Sequence, residues 1–335
     1  MRRTPHCSKT AQQGAAILLA MLTVVLVATL ASAALWQQWR AVEVETAERT
    51  RAQSTWVLTG ALDWARLILA EDARKGGSDH LAEPWAMPLE QARLSTFLAA
   101  DRSDTLAAEA STNAFLSGQI VDLQGRLNLA NLLRDGKVHA PTLRAFDRLF
   151  EQLGLPHGQL DNLVAQLLRA QRASTQANGT ASPNDSPLWP QEPDQLAWLG
   201  LDPRTLMRLR PHTTVLPERT PVNLNTASGT VLLACLEGLD QAGVQRLLVA
   251  RSLAPWEALD DVKKAAQLPL LALDSQMVST NSRFFALTGV LQIEGNTVQE
   301  YSVVQRDAMN VKTLWRKRTL TPAGAALAPT MNAAF

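Results

Sequence analysis

The sequence has only two cysteines in 335 residues, Cys7 and Cys235. Cys7 lies in a short basic leader. Without that leader Cys235 has no intramolecular partner, so disulfides do not staple the fold. Leu232, Leu233, Ala234 and Leu236 surround Cys235 with apolar neighbours, the setting of a thiol that behaves as a small hydrophobe. The five histidines are His6, His80, His139, His157 and His212, and none stands at metal-ligand spacing from another histidine or a cysteine. Gly-x-Ser-x-Gly, phosphate-loop and dinucleotide fingerprints are missing. These absences argue against an enzyme. A strong charge of one sign is also missing. The formal net charge is +1, and setting aside Arg2, Arg3 and Lys9 leaves 29 basic against 31 acidic residues, a charge of −2. A body with that balance lacks the electrostatic footprint of a nucleic-acid binder.

What is present begins with an apolar run. No charged residue occurs between Lys9 and Arg40, and the run is strongest from Ala15 to Trp36. At ~1.5 Å rise per residue, that length of helix crosses a bilayer core. The preceding basic residues predict a cytoplasmic leader and an exported body. Trp36 and Trp39 fall where an aromatic belt meets the far interface. A cleaved secretory signal is the competing reading, with Ala31-Ser32-Ala33 as its site. Against it, residues 41–74 continue without proline in a helical pattern. One long helix from about Ala15 to Ala73 is expected, the first third in lipid and the last third packed on a core.

Beyond the helix, residues 76–96 read as a loop, with Gly76-Gly77, Pro84 and Pro88. Ile120-Val121-Asp122-Leu123 and Arg126-Leu127-Asn128-Leu129 flank Gln124-Gly125 and read as a β-hairpin. Residues 141–172 carry a helical pattern that Gly154 and Pro156 split in two. Residues 173–195 are polar and read as a loop; residues 196–275 return to a helical pattern. Residues 285–293, 298–305 and 311–318 read as three antiparallel strands with a turn at Glu294-Gly295-Asn296. The segment from Thr321 to Phe335 is Ala/Pro-rich and reads as a disordered tail. The order is helix, strands, helices, strands. It predicts an α+β domain whose small antiparallel sheet is interrupted by a helical insertion over 138–277. The parts are then a leader 1–14, a membrane segment 15–36, a helix with the first strands 37–137, the insertion, closing strands 278–320 and the tail 321–335.

Three phrases carry a resemblance. Gln12-Gln13-Gly14-Ala15-Ala16-Ile17 places a glycine at the polar-to-apolar junction behind the basic leader. This resembles the leader of type IV pilins and pseudopilins. Asp122-Leu123-Gln124-Gly125-Arg126-Leu127-Asn128-Leu129 and Val222-Asn223-Leu224-Asn225-Thr226-Ala227 are similar to segments of the K-type minor pseudopilins of type II secretion. The resemblance implies a type IV pilin-like long N-terminal helix and cleavage between Gly14 and Ala15 by a prepilin peptidase, followed by methylation. It implies a single-pass inner-membrane protein with its N-terminus cytoplasmic and its body periplasmic. Its partners would be the I-type and J-type minor pseudopilins and the major pseudopilin, at the tip of the pseudopilus. The family normally carries Glu at the fifth mature position. Here that position is Leu19, a departure typical of the K type.

The Val222 to Val262 segment also resembles the helix-hairpin-helix of membrane-anchored DNA receptors, the alternative function. Thr226 is expected to cap a helix over 227–236, and Asp240 the next one, after the turn at Gly238. A DNA-binding hairpin has a glycine where this chain has Asp240, whose carboxylate repels phosphate. The nearby basic residues are Arg246, Arg251, Lys263 and Lys264. The resemblance further implies calcium in acidic loops of the insertion. The oxygen donors left for it here are Asp185, Glu192, Asp194 and Asp274, scattered rather than at EF-hand density.

Overall fold

The computed structural model describes residues 12–94, 114–175, 187–267, 272–293 and 296–321. The chain divides between Val57 and Leu58 into two units. The boundary falls inside one helix, α1 (Gln12–Lys75). No proline interrupts it, and its threonines return their hydroxyls to the turn behind, Thr23 to the Ala20 carbonyl and Thr29 to that of Leu26. Within the first unit, Ile17 through Trp39 present large apolar side chains that are more than half exposed. This is the one helix among the described residues long and apolar enough to cross a membrane. Arg74 and Lys75 complement the dipole of its last turn. Gly76 (φ +71°) and Gly77 (φ +108°) then end it in backbone that a Cβ would strain.

The second unit is built on a five-stranded antiparallel sheet. Its strands are β1 (Leu89–Arg93), β2 (Ala114–Asp122), then β9 (Phe284–Ile293), β10 (Asn296–Asp307) and β11 (Asn310–Thr321), in that spatial order. β2 pairs with β9 from Asp122 opposite Phe285 to Ala114 opposite Ile293. The chain therefore leaves the sheet after Asp122 and returns at Phe284. β9 and β10 pair continuously, and β10 and β11 pair with one bulge between Val303 and Val304. Period-2 alternation sends Phe285, Leu287, Val304 and Val311 to one face. There they meet Leu62 and Leu69 of α1 and Trp85, whose indole stands edge-on to Phe285 at 5.2 Å. Leu58, Leu62, Ala65 and Leu69 share one stripe of α1 at helical spacing. Leu58 lies close over Gly289, where a Cβ would stand 3.2 Å from it. Arg66 adds a hydrogen bond to the Val311 carbonyl at 3.0 Å. The opposite face carries Phe284, Ala286 and Val303, which pack with Leu123 and Leu216.

Between β2 and β9 lies the insertion. In chain order it holds β3 (Leu127–Asn128), β4 (Leu133–Arg134), β5 (Lys137–Val138), α2 (Ala140–Gln152), α3 (His157–Thr175), α4 (Pro203–Leu209), β6 (Thr213–Thr214), β7 (Val222–Asn223), α5 (Gly229–Cys235), α6 (Gln241–Leu253), α7 (Leu259–Ala266) and β8 (Val278–Ser279). One apolar core runs through it, with Phe146 and Phe150 of α2, Leu160 and Leu167 of α3, Val231 of α5 and Leu247 of α6. Asp202 caps α4, and Asp240 caps α6 by accepting the Gly243 N–H at 2.7 Å.

The expected hairpin at Gln124-Gly125 is not formed. Asp122 ends β2, its carboxylate accepts the Gln124 N–H at 2.7 Å, and the chain turns through a short 3-10 segment over Leu123–Gly125. Leu127 and Asn128 pair instead, in parallel, with Thr213 and Thr214. A Cβ on Gly125 would stand 2.9 Å from the Thr226 hydroxyl and 3.0 Å from its carbonyl oxygen, so another segment occupies the space a hairpin partner would need. A tight hairpin does occur at Asp135-Gly136, joining β4 to β5, with both residues at positive φ as a type I′ turn requires. The expected cap of α5 moves as well. Ser228, not Thr226, accepts the N–H of Val231. Residues 76–96, expected as loop, include β1 and a 3-10 turn at Pro84–Ala86. The expected turn at Glu294-Gly295 and tail 322–335 lie outside the described residues, as do Asp185 and most of the expected loop at 173–195.

Candidate functional site: a polar junction and the surfaces around it

The two insertion phrases singled out in the sequence meet in space. Asp122 is buried, and its second carboxylate oxygen accepts three hydrogen bonds: from Thr226 Oγ1 at 2.6 Å, Ser282 Oγ at 2.6 Å and Asn223 Nδ2 at 3.0 Å. Gln124 Nε2 donates to the Pro221 carbonyl at 3.1 Å, and its Oε1 accepts the Arg283 N–H at 2.7 Å. Asn128 reaches Glu218 and Thr220, while Asn131 pairs with the backbone of Thr220 in both directions. Asn225 makes the same two-way pair with the backbone of Trp256. Side-chain amides thus replace a strand ladder where segments about 90 to 100 residues apart come together. Burial pushes the Asp122 carboxyl up to about 6. Hydrogen bonds from Ser282, Thr226 and Gln124 work against that rise, and the neighbouring Asp79 charge adds to it.

The network continues to the end of α1. Asp79 Oδ2 accepts the Ser282 N–H at 2.7 Å, and Asp79 Oδ1 takes Arg306. The same guanidinium donates to Asp72 at 2.8 Å and to the Ser282 carbonyl at 2.9 Å, and lies 4.8 Å over the Phe285 ring. Asp72, Asp79 and Glu83 form the one group of acidic oxygens close enough together to hold a metal ion among the described residues. Arg306 already occupies two of the three. Burial raises the Asp79 carboxyl despite Arg306, and raises Glu83 to about 7 with Asp72 beside it.

Of the donors expected for calcium, Asp185 lies outside the described residues, and the other three are each engaged elsewhere. Glu192 faces Lys317 at 3.6 Å, Asp194 faces Arg210 at 3.4 Å, and Asp274 accepts the Gln276 N–H at 2.9 Å. Each is engaged by a different neighbour, so these residues do not fit a calcium cage. The cations of the hairpin segment are engaged too. Arg251 donates inward to the carbonyls of Leu224 and Ala227 at 2.8 and 2.6 Å. Lys263 pairs with Asp260 and Lys264 with Asp261. Of the four, Arg246 alone makes no hydrogen bond or ion pair among the described residues, which is little to hold a phosphate backbone. Cys235 is desolvated and its thiol pushed up to about 12, the environment of an inert sulfur. His139 bonds Thr142, His157 stands 3.8 Å from Asp147, and His80 accepts the Ala82 N–H.

Two adjoining family models, both described as protein K of the type II secretion system, match residues 125–218 and 222–281. The matches support a type II secretion system protein K. The boundaries of the two models fall on the polar junction: one begins at Gly125, the next begins at Val222, and Ser282 follows the second. Type II secretion system protein K of Pseudomonas aeruginosa is 26% identical over 272 residues, covering 76% of each chain. The protein of the same name from Klebsiella pneumoniae is 27% identical over 335 residues, 88% of this chain and 96% of that one. Among solved structures, the GspK-GspI-GspJ complex of the enterotoxigenic Escherichia coli type 2 secretion system contains a chain of the same fold. The TM-score is 0.58 at 17% identity, over 82% of this chain and 98% of that one. The expected order of a long apolar helix, a small antiparallel sheet and a helical insertion agrees with that fold.

The sequence marked Asp122, Asn223 and Thr226 as parts of phrases, without their partners. Asp79, Ser282 and Arg306 escaped it, because a single polar residue in a mixed stretch carries no periodic signal. Gly14, Ala15 and Leu19 all fall in α1, and the Ala15 and Leu19 side chains are exposed.

Proposed function

We propose that this protein is a minor pseudopilin that caps the type II secretion pseudopilus. The observation that carries the reading is the pairing of the two protein K segments through the Asp122 network, inserted between strands of a sheet packed on the end of a long apolar helix. In this reading a prepilin peptidase cuts between Gly14 and Ala15, and the new N-terminus is methylated. The leader faces the cytoplasm and the body the periplasm. The helix stays in the inner membrane until assembly, then bundles with neighbouring subunits. Leu19 leaves no carboxylate to pair with a neighbour's N-terminal amine, which suits a subunit with none above it. The bulk of the insertion blocks further stacking. The role is structural rather than catalytic, and it serves assembly and export across the outer membrane.

The GspK structure is that of a complex with GspI and GspJ. By analogy, the I-type and J-type minor pseudopilins of the same organism are the partners. Co-expression of the three chains and affinity capture of this one tests it. Stoichiometric recovery of both partners is expected. A pair of I and J types that forms without this chain, under conditions where all three are present, overturns it.

A further inference from the structure

On the sheet face away from α1 there is a cleft of about 250 Å³. Val121, Leu123, Ala286 and Val303 form its floor. Tyr301 and Trp315 wall it, their rings 5.4 Å apart and tilted by 41°. Charged groups ring the apolar floor, and most are already paired: Lys317 with Glu192 and Arg210 with Asp194. Arg126 is different. It lines the cleft, yet no carboxylate lies within ion-pair distance of it among the described residues. Burial pulls its guanidinium below the ordinary range; Tyr301 and the more distant Asp122 charge work against that, and the Arg210 charge adds to it. Burial, with the Arg126 charge adding to it, lowers the adjacent His212 imidazole below its ordinary value. A half-buried cation with no ion-pair partner keeps part of its desolvation cost, and a carboxylate that meets its planar fork offsets it.

The volume is below the range of nucleotide- or cofactor-sized pockets, roughly 300–1,000 Å³. The apolar floor and aromatic walls call for more than a bare anion. We infer that the cleft is a docking site for a segment of a partner protein that carries an aspartate or glutamate beside a large apolar side chain. The carboxylate meets Arg126, and the apolar group lies on Val303 and Ala286 between the rings of Tyr301 and Trp315. This rests on the reading that the protein works by docking other proteins, but it concerns a surface separate from the membrane helix.

The test uses the full chain in detergent micelles and a fluorescein-labelled pentapeptide amide, Ala-Leu-Glu-Phe-Ala, followed by fluorescence polarisation. Saturable binding is expected. It should weaken about tenfold or more when the peptide's Glu is replaced by Gln, and by a similar factor in Arg126→Met. Thr288→Trp, which fills the cleft from β9 without touching the charge, should abolish it. Circular dichroism of each variant establishes that it folds. If Arg126→Met does not fold, Thr288→Trp and the Glu/Gln peptide pair decide. Equal binding of the two peptides, unchanged binding by a folded Arg126→Met or Thr288→Trp, or no saturable binding at millimolar peptide overturns the proposal. Recovery of the I-type and J-type partners is read separately, so either idea can fail without the other.

Discussion

Thr226 donates its hydroxyl to Asp122 at 2.6 Å across 104 residues of chain. The bond joins the end of a sheet strand to the segment that opens α5, and with Ser282 and Asn223 it closes the insertion on the sheet. The first protein K family model ends at residue 218 and the second starts at 222, beside this junction.

Removing the acceptor should therefore be worse than removing one donor. Asp122→Ala leaves Thr226, Ser282 and Asn223 without their acceptor and should destabilise the second unit by roughly 3 kcal/mol or more. Thr226→Ser keeps the hydroxyl and should stay within about 0.5–1 kcal/mol of the parent, while Thr226→Val should cost about 1–2 kcal/mol. Thermal melts of the full chain in micelles give the ranking.

Gly125 is a packing requirement rather than a turn requirement. Its φ is not in the left-handed region, but a Cβ would collide with backbone and side chain of Thr226. Gly125→Ala should cost about 1–3 kcal/mol, and Thr226→Ala should relieve only part of it because the carbonyl contact remains. Gly136→Ala, with open space around it but φ +73°, should cost about 1 kcal/mol. The three melts separate crowding from backbone strain.

Stability should fall as pH rises from 5 to 8. Asp122 titrates near 6 when folded against an ordinary 3.8, and Glu83 near 7 against 4.5. Between those values the folded chain holds protons that the unfolded chain releases, so each rise in pH favours unfolding. The contribution is fully present below pH 4 and lost above about 7. Glu83→Gln still accepts from the Trp85 indole and the His80 N–H through its carbonyl oxygen. It should flatten the melting-temperature profile between pH 6 and 7 and leave the Asp122 slope below it.

Arg306 bridges Asp72 and Asp79 while covering Phe285. Arg306→Met strands two carboxylates and should cost about 3–5 kcal/mol at pH 7. The loss should shrink at pH 5, where Asp79 accepts a proton more readily. Arg306→Lys keeps one charge but not the fork, and should fall between the two. Denaturant titrations at both pH values check the order.

Much of this architecture was legible because it is local. The proline-free apolar run marked α1, and alternation marked β9 to β11 nearly end to end. The Gly154-Pro156 break separated α2 from α3, and Asp240 capped α6 as expected. What was not legible is non-local. Ile120 and Val121 read as a strand from their own pattern, but their partners Leu287 and Ala286 lie more than 160 residues on. Gln124-Gly125 looks like a turn between paired strands, and only the approach of Thr226 shows why it is not. Thr226 read as the N-cap of the helix over 227–236, yet its hydroxyl goes to Asp122 and the cap falls to Ser228. The carboxylates weighed as calcium donors gave no hint of Lys317 or Arg210, which arrive from other segments.

The central claim is a pseudopilin matured at Gly14, and the mass of the membrane-extracted chain tests it most directly. Co-expressed with a prepilin peptidase, the chain should begin at Ala15, with its N-terminus methylated and the apolar helix retained. The same chain without the peptidase should keep its leader. A mature form that begins just after Ala33, or one unchanged by the peptidase, would contradict the account.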